Sequence, residues 1–445
     1  MQKRSRNQGQ FHSEAIPKDI SLLNPRDSLD SNNLRSKIEK MQDYLNKLYI
    51  VMVGLPARGK STVAAKLKEG LQKENIKVRI FNNGDLRRKL LSESSTKPDF
   101  YNPDNKTNVE LREQIALTNI NNARKYLAGN GQVAILDATN VSHKRRRTIQ
   151  EMLGDHPILF VECINTDEEI LKASITKKTQ QNEFANYSFQ EAFDGFQKRI
   201  SYYEHIADPL DQEPNYYILD SLNNQILAQK ITDNIFCNVQ IRDLLVSDWV
   251  KNLFLVRHGE SYFNLENRIG GDSKLTPNGW KQAEALAKHF QNTNIPYIYT
   301  SAKKRTIETS EPIRQQQKNS RVIHLQEFNE IDSGICEGMS YEEIRREKPE
   351  VFYARIQDKY NYIYPQGEGY VTLKERVDRG LKKAIYLSGN PTYIMIIGHQ
   401  AVNRMILAHF LYRRKEDVPY IYTPQDRYFH IVSTQSKKLF ELKRF

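Results

Sequence analysis

Cysteine is scarce in this chain: Cys163, Cys237 and Cys336 are the only three in 445 residues. They are too few and too scattered for a disulfide framework or a zinc site, and they read as buried thiols. No apolar run reaches the length of about 20 residues that a membrane-spanning helix needs. Met1-Gln2-Lys3-Arg4 is followed by polar residues and not by a signal-peptide core, so a cytosolic protein with no membrane partner is expected. A Pro/Gly/Ser-rich linker is also missing. The length implies two domains, and without such a tether they should pack together. The net charge of +12 arises from 66 Lys and Arg interleaved with 54 Asp and Glu, without a long basic block. It is therefore assigned to phosphorylated small molecules before nucleic acid.

Residues 1–45 are rich in Ser, Asn, Asp, Lys and Arg and read as a disordered, regulatory segment, with a short helix near Leu34–Leu45 and with Ser28 and Ser36 as phosphorylation candidates. Order begins with the apolar run Leu48–Val53, the kind of strand that is buried on both faces of a parallel sheet. It leads into Gly54-Leu55-Pro56-Ala57-Arg58-Gly59-Lys60-Ser61, with Thr62 next, and then into a helix with Val63, Ala64, Leu67 and Leu71 on one face. Strand, loop and helix together make a P-loop. The glycines let backbone N–H groups wrap phosphates, Lys60 can reach the β- and γ-phosphates, and Ser61 can ligate Mg²⁺. A second strand, Lys77–Phe81, delivers Arg87 and Arg88, and a helix over 108–127 carries Arg112. The strand Val133–Leu136 ends in Asp137, where a P-loop enzyme needs a carboxylate for Mg²⁺ or for the proton of the attacking hydroxyl; the plainer reading of Asp137 is a helix cap. Lys144-Arg145-Arg146-Arg147 lies on the next helix, with one arginine free to turn inward. Strands at Ile158–Ile164 and Tyr216–Leu219 complete the sheet, and Ile226–Trp249 reads as helix and then connection.

The alternation restarts at Leu253–Val256, which runs into Arg257-His258-Gly259-Glu260-Ser261. Ligands in open α/β sheets bind beyond the carboxyl ends of strands, so His258 is placed as a nucleophile beside a phosphate-holding arginine. Thr276-Pro277 starts a helix to Phe290, Tyr297–Thr300 delivers Arg305, and Glu327–Asp332 forms a carboxylate cluster. Thr392–Ile397 ends in Gly398-His399-Gln400. Either histidine alone is more often a core residue, but two at strand ends with Arg257 and Arg305 make a phosphate pocket the better reading.

With these motifs quoted, the chain resembles the bifunctional 6-phosphofructo-2-kinase/fructose-2,6-bisphosphatase family over roughly Leu48–Val432. GLPARGKS at Gly54, FNNGDLRR at Phe81, DATN at Asp137 and KRISYYE at Lys198 are similar to the kinase half. RHGES at Arg257, NRIGGD at Asn267, KRT at Lys304, NEIDSGICEGMSYEEI at Asn329, YPQGEGY at Tyr364 and GHQAVNR at Gly398 resemble the bisphosphatase half. The resemblance implies a P-loop NTPase-like doubly wound parallel sheet over residues 46–249. A histidine phosphatase, phosphoglycerate mutase-like α/β domain would follow over 250–445.

It further implies ATP with Mg²⁺, fructose 6-phosphate and fructose 2,6-bisphosphate as ligands, and a homodimer joined through the kinase halves. Residues 54–62 would hold ATP, with Ser61 and Asp137 on the metal and Lys60 and Asp137 catalytic. Arg87, Arg88, Arg112, Thr139, Arg145, Arg199 and Tyr203 would hold the sugar phosphate. In the other half His258 would form a phosphohistidine and Glu330 protonate the leaving oxygen, with Arg257, Asn264, Arg305 and His399 around the transferring group and Gly270 close by. Tyr341, Arg355, Lys359, Tyr370, Gln400 and Arg404 match the sugar side. Departures concentrate in the kinase half. Leu86 and His143 stand where the family has Tyr and often Arg, and a Ser-Pro-Asp-Tyr stretch is missing near 179–184, so the family's ATP-side lysine is not assigned to either Lys177 or Lys178. Competing readings are a bisphosphatase with a nucleotide-sensing kinase fold, a P-loop kinase of another hydroxyl such as an RNA end, and a mutase.

Overall fold

The computed structural model describes residues 46–91, 98–180, 184–411 and 413–445. The segment 1–45, with its expected helix and candidate phosphorylation sites, lies outside the described residues.

The first half is built on β1 (Leu48–Val53), β2 (Val78–Asn82), β3 (Val133–Asp137), β4 (Ile158–Ile164), β5 (Asn215–Asp220) and β6 (Gln225–Ile231), arranged β2-β3-β1-β4-β5-β6. All six residues of β1 are buried. Its alternate side chains serve two cores, which is why the run is apolar throughout. Leu48, Ile50 and Met52 pack with Val63, Leu67 and Leu71 of the Lys60–Lys73 helix, while Tyr49, Val51 and Val53 pack with Ile120 and Leu127 of the Lys106–Ala128 helix. The sheet is parallel from β2 to β5. β6 departs from the helix expected there. Asn224 adopts a left-handed conformation at φ 50°, turning the chain so that residues 225–231 pair antiparallel with β5. Pairing with an existing sheet edge outweighs the helical spacing of Ile226, Leu227 and Ile231. Helix in this stretch occupies only Asn238–Val246.

The second half carries β7 (Val250–Arg257), β8 (Tyr297–Thr300), β9 (Arg321–His324), β10 (Ile394–Gly398), β11 (Arg427–Ser433) and β12 (Lys438–Arg444), ordered β12-β11-β7-β10-β8-β9. β7, β10, β8 and β9 run parallel, and the hairpin of β11 and β12 closes one edge antiparallel. Register decides the site here. Gly398 pairs with Arg257, so His258 and His399 are the next residue on two neighbouring strands, and His258 N–H donates to Gly398 O at 3.0 Å.

The two halves are packed together. Ile170 and Leu222 from the first and Leu387 from the second form one apolar cluster. Buried Lys383 of the second half reaches Glu169 across the same boundary at 2.7 Å, and also pairs with Glu327 of its own half at 2.7 Å. Lys251 pairs with Glu69 at 2.7 Å. At the junction, His409 bridges Asp248 and Asp378 at 3.0 and 3.3 Å.

Candidate active sites

The P-loop follows β1. Gly54 (φ 129°) and Gly59 (φ 83°) adopt backbone conformations open to glycine, and a side chain on Gly54 would meet the Cys163 carbonyl at 2.5 Å. Lys60 is buried, and its Nζ donates to Leu55 O at 2.6 Å. Burial, opposed by nearby Asp137, brings its ammonium down to about 8. Asp137 is itself buried at the end of β3, with one carboxylate oxygen taken by Asn82 Nδ2. Ser61 is exposed on the first turn of the helix.

Beside the loop lies a cleft of about 580 Å³. Arg87, Arg112, Thr139, Arg145, Arg199 and Tyr203 all line it. Arg88 does not, and its guanidinium pairs with Asp85 at 2.6 Å. Tyr101 organises the cationic wall: the Arg199 guanidinium lies 4.0 Å from its ring centre and that of Arg87 5.9 Å. Of the basic run, Arg145 faces the cleft. Arg146 turns inward but is structural, paired with buried Glu213 and donating to the Val141 and Pro209 carbonyls.

The second cleft, about 340 Å³, opens where β7 and β10 end. Arg257, Asn264, Gly270, Arg305, Glu330, Tyr341, Arg355, Lys359, Tyr370, Gln400 and Arg404 line it together. His258 and His399 are buried, their ring centres 5.2 Å apart. His258 Nδ1 lies 2.7 Å from Gly259 O. A carbonyl only accepts, so Nδ1 carries the proton and Nε2 keeps its lone pair. Burial, reinforced by Arg305 and Arg257, holds this imidazole well below the ordinary histidine range, hence neutral. His399 is fully engaged: Nδ1 accepts from Arg305 Nε at 3.1 Å, which puts the proton on Nε2, facing Ser301 Oγ at 2.8 Å. It holds Arg305 in place, which its position beside the transferring group did not foretell. Glu330 accepts backbone N–H groups from Ile331 and Ala401 at 3.0 to 3.3 Å. A neutral imidazole, guanidinium groups and a carboxyl around one cleft can carry out nucleophilic phosphoryl transfer with general acid assistance.

A family model for 6-phosphofructo-2-kinase matches residues 35–247, and one for the histidine phosphatase superfamily (branch 1) matches 253–442. The rat protein named 6-phosphofructo-2-kinase/fructose-2,6-bisphosphatase 4 is 36% identical over 385 residues, covering 84% of this chain and 80% of that one. The chain belongs to the 6-phosphofructo-2-kinase/fructose-2,6-bisphosphatase family. Other members compare similarly. The human protein named with the number 3 is 35% identical over 84% of this chain and 72% of its own length, and the rat protein numbered 1 is 34% identical over 84% and 79%.

Two features of this family member escaped the sequence. Lys177 and Lys178 have different fates: Lys177 Nζ donates to Leu387 O at 2.9 Å, in the other half, whereas Lys178 is drawn towards Asp137 in the kinase site, where burial lowers its ammonium. The second is an irregular strap that runs on from the end of the Lys415–Tyr420 3-10 helix. Lys359, Arg404 and Arg257 donate to the carbonyls of Pro419, Ile421 and Thr423 at 3.1, 2.8 and 3.2 Å, and Gln425 ends the series against His258 and Asn264. Tyr420 and Tyr422, between them, face solvent. The alternation Tyr420-Ile421-Tyr422 was the only trace of it in the sequence.

Proposed function

We propose that this chain makes and destroys fructose 2,6-bisphosphate, transferring the γ-phosphoryl of ATP to O2 of fructose 6-phosphate in its first half and hydrolysing the 2-phosphate in its second. The observation that carries the reading is His258, neutral with Nε2 open, beside a cleft lined by cations and by Glu330.

In the bisphosphatase half the His258 Nε2 lone pair attacks the 2-phosphorus and the P–O2 bond breaks. Glu330 gives its proton to the departing sugar oxygen. Arg257, Arg305 and the Asn264 amide hold the phosphoryl oxygens, and His399 fixes Arg305. Water then attacks the phosphohistidine, giving a proton to the Glu330 carboxylate as the P–Nε2 bond breaks, which releases phosphate and restores both the imidazole and the acid. Tyr341, Arg355, Lys359, Tyr370, Gln400 and Arg404 take the sugar and its 6-phosphate, for which guanidinium and ammonium groups are suited.

In the kinase half the Gly54–Thr62 backbone and Lys60 bind the triphosphate, Asp137 accepts the proton of the attacking hydroxyl, and Arg87, Arg112, Thr139, Arg145, Arg199 and Tyr203 bind fructose 6-phosphate. Lys178, buried near Asp137, serves as the ATP-side lysine. Ser61 and Asp137 offer a hydroxyl and a carboxylate, an all-oxygen donor set that fits Mg²⁺, whose charge when bound neutralises the phosphates. Two clefts of small-molecule size favour sugar phosphates over nucleic acid. Among the described residues no helix is long and apolar enough to cross a membrane. A cytosolic homodimer accords with the family.

The test is trapping. Acid-stable label should not form, and base-stable phosphohistidine should, when the protein meets fructose 2-[³²P],6-bisphosphate; absence of a phosphoenzyme in a protein that still hydrolyses the ester overturns the mechanism.

A further inference from the structure

Tyr386 belongs to the Tyr370–Ser388 helix of the second half, yet its hydroxyl donates to the Ala57 carbonyl in the P-loop of the first, at 3.1 Å. The neighbouring peptide is held from the same side: Ser221 Oγ, just beyond β5, donates to Arg58 O at 2.9 Å, sharing its one proton with Ile164 O at 3.0 Å. The Tyr386 ring and the Ser221 hydroxyl also crowd Gly59, where an added Cβ would meet them at 3.0 and 3.1 Å.

Peptide geometry makes these contacts consequential. No cis peptide occurs among the described residues, and in a trans peptide the C=O and the following N–H point in opposite directions. Fixing the Ala57 carbonyl outward on Tyr386 therefore turns the Arg58 N–H to the inner side of the loop. Fixing the Arg58 carbonyl on Ser221 does the same for the Gly59 N–H. These are the donors with which a P-loop receives phosphate oxygens. The constraint is not idle, because Ala57 sits at φ 63°, a left-handed conformation that a non-glycine residue holds only when its surroundings impose it. The helix end that carries Tyr386 is itself anchored to the first half, with Lys177 Nζ on the Leu387 and Ser388 carbonyls at 2.9 and 3.4 Å, and Asn390 Nδ2 on Glu69 at 3.1 Å.

We propose that Tyr386 is a positioning residue for the kinase reaction, supplied by the phosphatase half. It sets the loop's backbone donors before the nucleotide arrives, so that the kinase half works at full affinity only while the phosphatase half is packed against it. The inference rests on the nucleotide-binding reading of the loop.

The experiment is calorimetric titration of the full chain with MgATP, beside steady-state assays of both activities, for wild type, Tyr386→Phe, Tyr386→Ala and Ser221→Ala. Tyr386→Phe keeps the ring packing and removes only the hydroxyl. It should weaken MgATP binding roughly two- to tenfold, the range for one lost hydrogen bond, and raise the KM for ATP with kcat less affected. The KM for the sugar phosphate and the rate of hydrolysis should be unchanged, which shows the fold intact. Tyr386→Ala should lose more, and Ser221→Ala should move affinity the same way. Wild-type affinity in Tyr386→Phe overturns the proposal, and so does a parallel loss of phosphatase activity or a wild type that does not bind MgATP. A wild type that binds MgATP without making fructose 2,6-bisphosphate instead sinks the functional reading, while the affinity comparison still decides the role of Tyr386.

Discussion

Gln425 Nε2 donates to Asn264 Oδ1 at 2.9 Å and to the His258 carbonyl at 3.1 Å. Ser261 N–H and Oγ donate to the same Asn264 oxygen at 3.1 and 3.2 Å. An oxygen so supplied leaves Asn264 Nδ2 as the group turned to the cleft, a pure donor for a phosphoryl oxygen. Gln425→Leu removes one of these donors, and hydrolysis should fall about tenfold. Synthesis by the same chain should not change. Single-turnover phosphoenzyme formation checks the first point, and a slowed kinase would show that the variant had merely disturbed the fold.

The two adjacent lysines should separate cleanly. Lys178→Ala should depress synthesis by about a hundredfold, on the scale of losing a group that stabilises transferring charge. Lys177→Ala removes a tie to Leu387 and should cost stability while leaving kcat for synthesis within a few-fold. Equal losses in the two variants would contradict the assignment.

Which parts were legible in advance follows from how locally the information is carried. Gly54–Ser61 and Arg257–Ser261 announce themselves because strand, loop and reactive side chains are contiguous. Their joining into pockets follows from strand register, as with Gly398 opposite Arg257. Gln425 and Tyr386 were hidden for the opposite reason. One sits on an irregular strap and the other on an amphipathic helix, and each acts on a segment 161 or 329 residues away. Arg88 and Arg87 looked equivalent until helix geometry sent one to the cleft and the other to Asp85. Residues 225–231 carry no strand signal because an edge strand exposed along much of its length lacks the apolar alternation that marks a strand.

Proton linkage gives a signature of the P-loop. Burial holds Lys60 at about 8 in the nucleotide-free protein, so it is charged below that pH and must take up a proton to meet a triphosphate above it. MgATP affinity should be level below pH 7.5 and decline as pH rises beyond 8. Titration at pH 8.5 in buffers of different ionisation heat should register proton uptake on binding.

His258 should behave in the reverse sense. Because burial and the two arginines keep its imidazole neutral well below the usual histidine pKa, phosphoenzyme formation should not lose its nucleophile as pH drops from 8 through 6.5. Rapid-quench rates across this window test it. A rate falling with an apparent pKa near 6.5 would mean an ordinary, exposed imidazole.

The junction has its own pH dependence. Burial disfavours charge on His409, but hydrogen bonds to Asp248 and Asp378 outweigh it and raise the imidazole to about 9. A pKa raised above the unfolded value of about 6.5 contributes stability that is complete below that value and is lost as pH rises through the folded one. The stability difference between wild type and His409→Gln should be on the order of 2 kcal/mol at pH 6, shrink through pH 8 and vanish above pH 9. Urea unfolding at three pH values measures it.

The central claim is that one chain holds two opposed and separable activities. It is tested most directly by assaying synthesis and hydrolysis of fructose 2,6-bisphosphate in the full chain, in Lys60→Ala and in His258→Ala. Synthesis abolished only by Lys60→Ala, with hydrolysis abolished only by His258→Ala, is the predicted result. Hydrolysis without synthesis in the unaltered chain would contradict it.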